Sequence, residues 1–291
     1  MRHSPLTTSG PGHHKPDRDP GPVTGPGPAL PLVGVAHGSS DPRAAASVDT
    51  LLSLVRARAA AAGYPGLDVR AAYLGHAAPT LAQALGAVDG TAVVLPLLLT
   101  AAYHSKTDIP KLLHEVRGAR PRLGISYGRP LGPHPLLRRA LERRLADAAD
   151  GEPPSANTAV PAASTTAVVL AAAGSSDPAA NAVITDQAEC WQAERGWRAV
   201  LPAYASAASP TPPEAVAAAR RSGARRVLVA SYLLCPGIFA DQVRSDCLTA
   251  GADAVSPVLG AAPEIADIVL GRYAESLTSG AVQVTDGAAA G

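Results

Sequence analysis

Two histidines stand where an apolar run gives way to a turn. His37 follows "LVGVA" (32–36) and precedes Gly38-Ser39-Ser40-Asp41-Pro42, and His104 follows "VVLPLLLTAAY" (93–103) and precedes "SKTDIP". Both runs read as buried strand, so each imidazole falls at a strand's carboxyl end. A neutral imidazole is a ligand for borderline divalent metals, and with a reference pKa of about 6.5 it also takes up a proton near neutrality. For either position taken alone, a loop histidine satisfied by backbone hydrogen bonds is the commoner arrangement.

An internal repeat separates these readings. "VAHGSSDP" (35–42) returns as "AAAGSSDP" (171–178), and "AAYLGHAAPT" (71–80) as "PAYASAASPT" (202–211). "LLL" (97–99) is answered by "YLL" (232–234), and "LGPHP" (131–135) by "LGAAP" (259–263). The four matches keep their order, and their spacing drifts by only a few residues, as expected of two copies of one unit. The second copy keeps Gly-Ser-Ser-Asp-Pro but has Ala173 where the first has His37. Carrying the spacing of the third match forward sets Phe239, the chain's only phenylalanine, against His104. A scaffold repeated without its histidines implies that the histidines serve function and not folding.

The elements that must position them alternate strand and helix. In the first copy strands are expected at Leu32–Ala36, Leu67–Tyr73, Ala92–Leu99 and within "GISYGRP" (124–130). Helices are expected after Asp41-Pro42 up to Gly63, at Pro79–Val88, at Lys106–Arg117 and at Pro135–Ala148, with Asp108 the cap of the third. Strands without polar alternation, separated by helices, imply a parallel sheet covered on both faces. The fold class is therefore α/β, with two tandem doubly wound parallel-sheet domains and a cleft between them. The expected boundaries are a Pro/Gly-rich tail at 1–29, a first domain at 30–149, a linker at 150–165, a second domain at 166–277 and a loose tail at 278–291. In such sheets ligands bind beyond the carboxyl ends of the strands, where His37 and His104 stand.

Composition narrows the function classes. Twenty-five Lys and Arg against 24 Asp and Glu leave a net charge of +1, which disfavours a non-specific nucleic-acid partner. No run approaches the ~20 apolar residues that span a bilayer, and the first residues lack the apolar core of a secretory leader. Cys190, Cys235 and Cys247 lack zinc-like spacing and read as reduced thiols of a cytoplasmic protein. Neither copy carries G-x-G-x-x-G or the G-x-S-x-G elbow, so a dinucleotide site and a serine hydrolase have no support.

Taken together, "HGSSDPR" (37–43), "YL" with "APT" in 73–80, and "VVLPLLLTAAYHSKTDIP" (93–110) closely resemble the sirohydrochlorin chelatases, class II tetrapyrrole metal chelatases of flavodoxin-like topology. The second copy, over about 167–277, looks like the degenerate half of the family's double-length members. The resemblance implies an enzyme, a lyase that inserts Fe²⁺ or Co²⁺ into sirohydrochlorin for sirohaem or cobalamin, with no cofactor beyond the metal substrate. It implies metal binding and proton acceptance at His37 and His104. Macrocycle contact would fall to Leu99, Thr100, Ala101, Ala102 and Tyr103, with Ser39, Arg43 and Lys106 nearby and Arg129 on the same rim. Family members usually carry an acid in the loop after the second strand. This chain has Gly75 there and His76 beside it, so His76 is a candidate third metal ligand, turned inward by the freedom of Gly75. The competing readings are a non-catalytic metal or tetrapyrrole carrier of the same fold and a flavodoxin-like module for another anionic ligand.

Overall fold

The computed structural model describes residues 29–100, 107–149 and 163–278. Burial on both faces makes β1 (Leu32–Ala36) a central strand, since all five of its residues are buried. It pairs in parallel with β2 (Val69–Tyr73) on one side and β3 (Thr91–Pro96) on the other. With β4 (Gly124–Tyr127) beyond β3, the order is β2-β1-β3-β4. The connecting helices are α1 (Pro42–Ala59), α2 (Leu81–Gly86) and α3 (Ile109–Ala119), and α4 (Pro135–Ala149) closes the copy. Because the chain leaves β1 towards β2 and returns to β3 on the other side, the sheet has its topological switch point at the carboxyl ends of β1 and β3.

The second copy repeats this plan. Its sheet is β6-β5-β7-β8, built from β5 (Thr166–Ala172), β6 (Ala199–Tyr204), β7 (Arg226–Tyr232) and β8 (Ala254–Val255). Its helices are α5 (Pro178–Arg195), α6 (Pro212–Arg221), α7 (Ile238–Thr249) and α8 (Pro263–Thr278). The repeated Asp-Pro works alike in both copies. Asp41 and Asp177 each accept the amide hydrogen two residues on, at 2.9 Å, and Pro42 and Pro178 open the helix where no amide hydrogen is needed.

Several edges differ from the sequence expectation. The first helix stops at Ala59, and Gly63 (φ 91°) serves the turn beyond it. Asp108 stands at the N-terminal boundary of α3 but has helical angles and makes no side-chain capping bond, so that helix is not capped as expected. Strand β3 ends at Pro96, short of Leu99.

The larger difference lies in the closing helices, which are exchanged. Helix α4 of the first copy lies on β7 and β8 of the second, and α8 of the second lies on β3 and β4 of the first and against α1. One apolar cluster therefore runs through both copies, joining Leu32, Val93 and Leu95 to Ile265 and Val269, and Leu137 and Leu141 to Leu170 and Leu228. Polar anchors follow the same crossing. The Tyr273 hydroxyl donates to the Leu30 carbonyl at 2.8 Å, and its ring meets Tyr64 edge-on at 4.9 Å. Ser126 donates to the Ser276 carbonyl, and Trp191 on α5 donates to Glu142 on α4 at 3.0 Å. Arg272, nearly fully buried, reaches the carbonyls of Pro130 and Pro133 and is neutralised by Glu275 at 2.9 Å.

The exchange has a measurable consequence. Tyr273→Ala should cost about 3–5 kcal/mol, the range for emptying a large buried aromatic site. Because that site belongs to the other copy's sheet, amide exchange in β1 and β3 should accelerate. Loss of protection confined to the second copy would show that α8 does not hold the first sheet.

Candidate functional site

The switch point of the first sheet is built by a close approach of two backbones. The parallel ladder between β1 and β2 runs past the strand ends, with Leu74 and Gly75 donating to the carbonyls of Ala36 and His37 at 3.1 and 3.2 Å. At Gly38 the chain turns away with φ 88°, and a Cβ there would lie 1.8 Å from the Gly75 carbonyl oxygen. No side chain fits, so glycine is obligatory at this crossing. The turn is completed by the Ser39 hydroxyl, which accepts from the Asp41 amide at 3.1 Å.

The second copy builds the same turn around alanine. Gly174 has φ 85° and a Cβ would lie 2.0 Å from the Ser206 carbonyl oxygen. Ser175 accepts from the Asp177 amide at 3.0 Å, and Ala205 and Ser206 donate to Ala172 and Ala173. The glycine turn and the serine bond thus persist where the imidazole does not, and His37 is an exposed addition to a scaffold that folds without it. Its Nδ1 lies 3.1 Å from the Gly38 carbonyl oxygen, within hydrogen-bonding distance for the tautomer that carries its proton there. Ser39 is accounted for by the turn.

The expectation for the loop after β2 needs correction. Gly75 does not take left-handed angles. His76 itself does, at φ 59°, and is exposed, and Ala207 takes φ 60° at the matching place in the second copy. The bend is thus a property of the repeated loop and is not conferred by glycine. Among the described residues no group of three or more His, Cys, Asp and Glu side chains is placed to hold a metal ion. The proposed partner of His37, His104, lies outside the described residues, as do Ala101, Ala102, Tyr103 and Lys106.

Leu99 and Thr100, which lead into that stretch, are half-buried and held from two sides. The Leu131 amide donates to the Leu98 carbonyl at 2.9 Å, and the hydroxyl of Tyr232, the last residue of β7, donates to the Leu99 carbonyl at 3.2 Å. Gly132 lets the backbones pass, since a Cβ there would meet the Leu99 oxygen at 2.0 Å. Tyr232 is buried, which pushes its phenol well above the usual tyrosine range and keeps it a neutral donor. Sequence reading missed this residue, although the repeat carries a signal for it: Tyr232 is the one hydroxyl where the first copy has Leu97.

Arg43 is not left facing solvent alone. Its guanidinium lies 2.5 Å from Asp41 and 2.5 Å from Asp241 in the first turn of α7, so it bridges the amino ends of α1 and α7 across the two copies. The Arg43 hydrogen bond holds the Asp41 carboxyl below the usual range. Arg129 is exposed and lies 3.9 Å from Glu275. Cys235, just past β7, faces Ser47 of α1, and burial pushes its thiol up to about 11. All three cysteines are free. Tyr232–Leu99, Arg43–Asp241 and Cys235–Ser47 together bring the carboxyl ends of the two sheets into one mouth.

Strands β3 and β7 correspond through Val35–Pro96 and Ala171–Ser231, which aligns Leu99 with Leu234 and keeps the repeat spacing to that point. Phe239, which that spacing sets against His104, lies on the first turn of α7, while His104 itself lies outside the described residues.

A family model described as CbiX matches residues 31–148 and again 167–276, once for each copy. The chain belongs to the CbiX family. A sirohydrochlorin ferrochelatase of Priestia megaterium is 29% identical over 191 residues, which is 64% of this chain and 68% of that protein. A sirohydrochlorin cobaltochelatase of the same species is 30% identical over 155 residues, 53% of this chain and 48% of that protein. The solved structure of SirB from Bacillus subtilis with Fe³⁺ superposes with a TM-score of 0.69 at 24% identity, covering 85% of this chain and 95% of that one. This likeness establishes that both parallel-sheet copies follow a chelatase-like fold. No helix among the described residues of this CbiX chain is long and apolar enough to cross a membrane.

The glycine crossing can be tested without any ligand. Gly38→Ala and Gly174→Ala should each destabilise the protein by about 1–3 kcal/mol, because both force an ordinary side chain into left-handed angles against a carbonyl oxygen. Urea denaturation of the two variants measures this. Unchanged stability in either would show that its turn tolerates a Cβ.

Proposed function

We propose that this protein is a sirohydrochlorin chelatase that inserts Fe²⁺ or Co²⁺ into the macrocycle at the mouth of the first copy. The observation that carries the reading is the imidazole of His37, added at an open switch point to a turn that the second copy folds identically around Ala173. Membership of the CbiX family and relatives named for both iron and cobalt chelation support it.

Insertion of M²⁺ into a free-base tetrapyrrole releases two protons from pyrrole nitrogens as the metal forms its nitrogen bonds. A neutral imidazole at the mouth either delivers the metal or accepts such a proton, and neither role requires a redox cofactor or a nucleotide. His104 is its proposed partner, and His76 a proposed further ligand. Leu99 to Tyr103 is the proposed macrocycle contact, with Lys106 available to the substrate's carboxylates. Arg43 is proposed only as an indirect participant, since its guanidinium is already shared by Asp41 and Asp241. The free thiols support a cytoplasmic setting.

Anaerobic absorbance of sirohydrochlorin with Fe²⁺ or Co²⁺ and a catalytic amount of protein tests the reading. Many turnovers above the spontaneous rate are expected, with His37→Ala slower by ~10²-fold or more and unchanged in melting temperature. A shift that stops at one equivalent would make the protein a carrier. His37→Ala at full rate would remove this residue from the chemistry.

A further inference from the structure

The second switch point has lost its histidine, but it is not an inert surface. Ile238 and Phe239 open helix α7 at the carboxyl end of β7, with 74% and 48% of their surface exposed. The only other large hydrophobic side chain so exposed among the described residues is Leu248, at 42%. Further along the same helix Val243 and Cys247 are buried, so α7 turns that face to its own sheet and leaves Ile238 and Phe239 off it. Keeping two large apolar side chains adjacent in water forgoes the stabilisation of burying them, which a ligand covering them recovers.

Their placement commits the occupant. Asp241, on the same helical turn as Phe239, is bonded to Arg43, two residues past the cap of the helix that leaves the His37 turn. Tyr232, at the end of the strand that leads to them, is bonded to Leu99. Both contacts hold the apolar pair at the mouth that His37 lines, on the wall opposite the first sheet. A metal ion gains nothing from such a wall, but the flat conjugated ring that must receive the metal gains burial of one face. The ring's charged groups lie on its rim and its apolar area on its faces, which matches an apolar pair set beside charged side chains.

The geometry points to Ile238 and Phe239 as an apolar platform that holds one face of the tetrapyrrole against the His37 mouth, so that the degenerate copy is the substrate-positioning half. This rests on the chelatase reading and adds a role for residues that the first copy cannot supply. The pair acts in ring binding and not in metal binding or proton transfer.

The test uses the full chain and sirohydrochlorin as the probe. Ile238→Ser/Phe239→Ser should raise KM for sirohydrochlorin, and its directly measured Kd, by at least ~10-fold. Turnover at saturation and Co²⁺ affinity measured without tetrapyrrole should stay within about threefold of the parent, a split that general misfolding would not produce. Phe239→Trp should keep the parental affinity and report the ring by quenching of its new indole. Parental sirohydrochlorin binding in the double variant would overturn the platform while leaving the chelatase reading intact. Loss of self-association with unchanged ring affinity would overturn it too, assigning the pair to contact between two copies of this chain. A parent protein that neither binds nor metallates sirohydrochlorin would overturn the chelatase reading, and the platform with it.

Discussion

Each sheet of this protein has one face that its own copy covers only in part, with α1 on the first and α5 on the second. Helix α8 of the second copy closes the first sheet, and α4 of the first copy closes the second. An uncovered parallel sheet exposes a continuous apolar face, so neither copy has a complete core alone, and the shared cluster through Leu32, Val93, Ile265 and Val269 is one core for the whole molecule. The exchange also fixes the relation of the two sheets. With each copy holding the other's closing helix, the carboxyl ends of β3 and β7 meet closely enough for Tyr232 to bond the Leu99 carbonyl. The mouth exists because the cores are interlocked.

Within that frame the two switch points have diverged while their backbones stayed alike. Glycine turn, serine bond and aspartate cap are superimposable in kind, and the side chain carried at the crossing is His37 in one copy and Ala173 in the other. Helix α7 opens at the carboxyl end of β7 with Ile238 and Phe239 exposed, so the copy without the imidazole presents an apolar pair at its own strand end.

Local signals made much of this legible in the sequence. Asp-Pro announced the helix starts, the unbroken apolar runs announced central parallel strands, and the repeat exposed the two-copy plan. What stayed hidden depends on distance along the chain. The exchange of closing helices leaves no local mark, because α4 and α8 carry the same apolar stripe whichever sheet they cover. The Arg43–Asp241 bridge joins residues nearly two hundred positions apart, and neither charge differs in type from its solvated neighbours. The bend after β2 was ascribed to Gly75, whereas the left-handed angles fall on His76 and recur at Ala207, so glycine content is a poor guide to it.

The interlocked core is tested most directly by producing residues 29–149 and 163–278 as separate chains, singly and together. Each alone should fail to unfold cooperatively, since its sheet lacks the helix that covers it. Co-expressed, the two should form a stable one-to-one complex with a single cooperative transition and recovered sirohydrochlorin metallation. A first fragment that folds cooperatively and metallates sirohydrochlorin by itself would contradict the account.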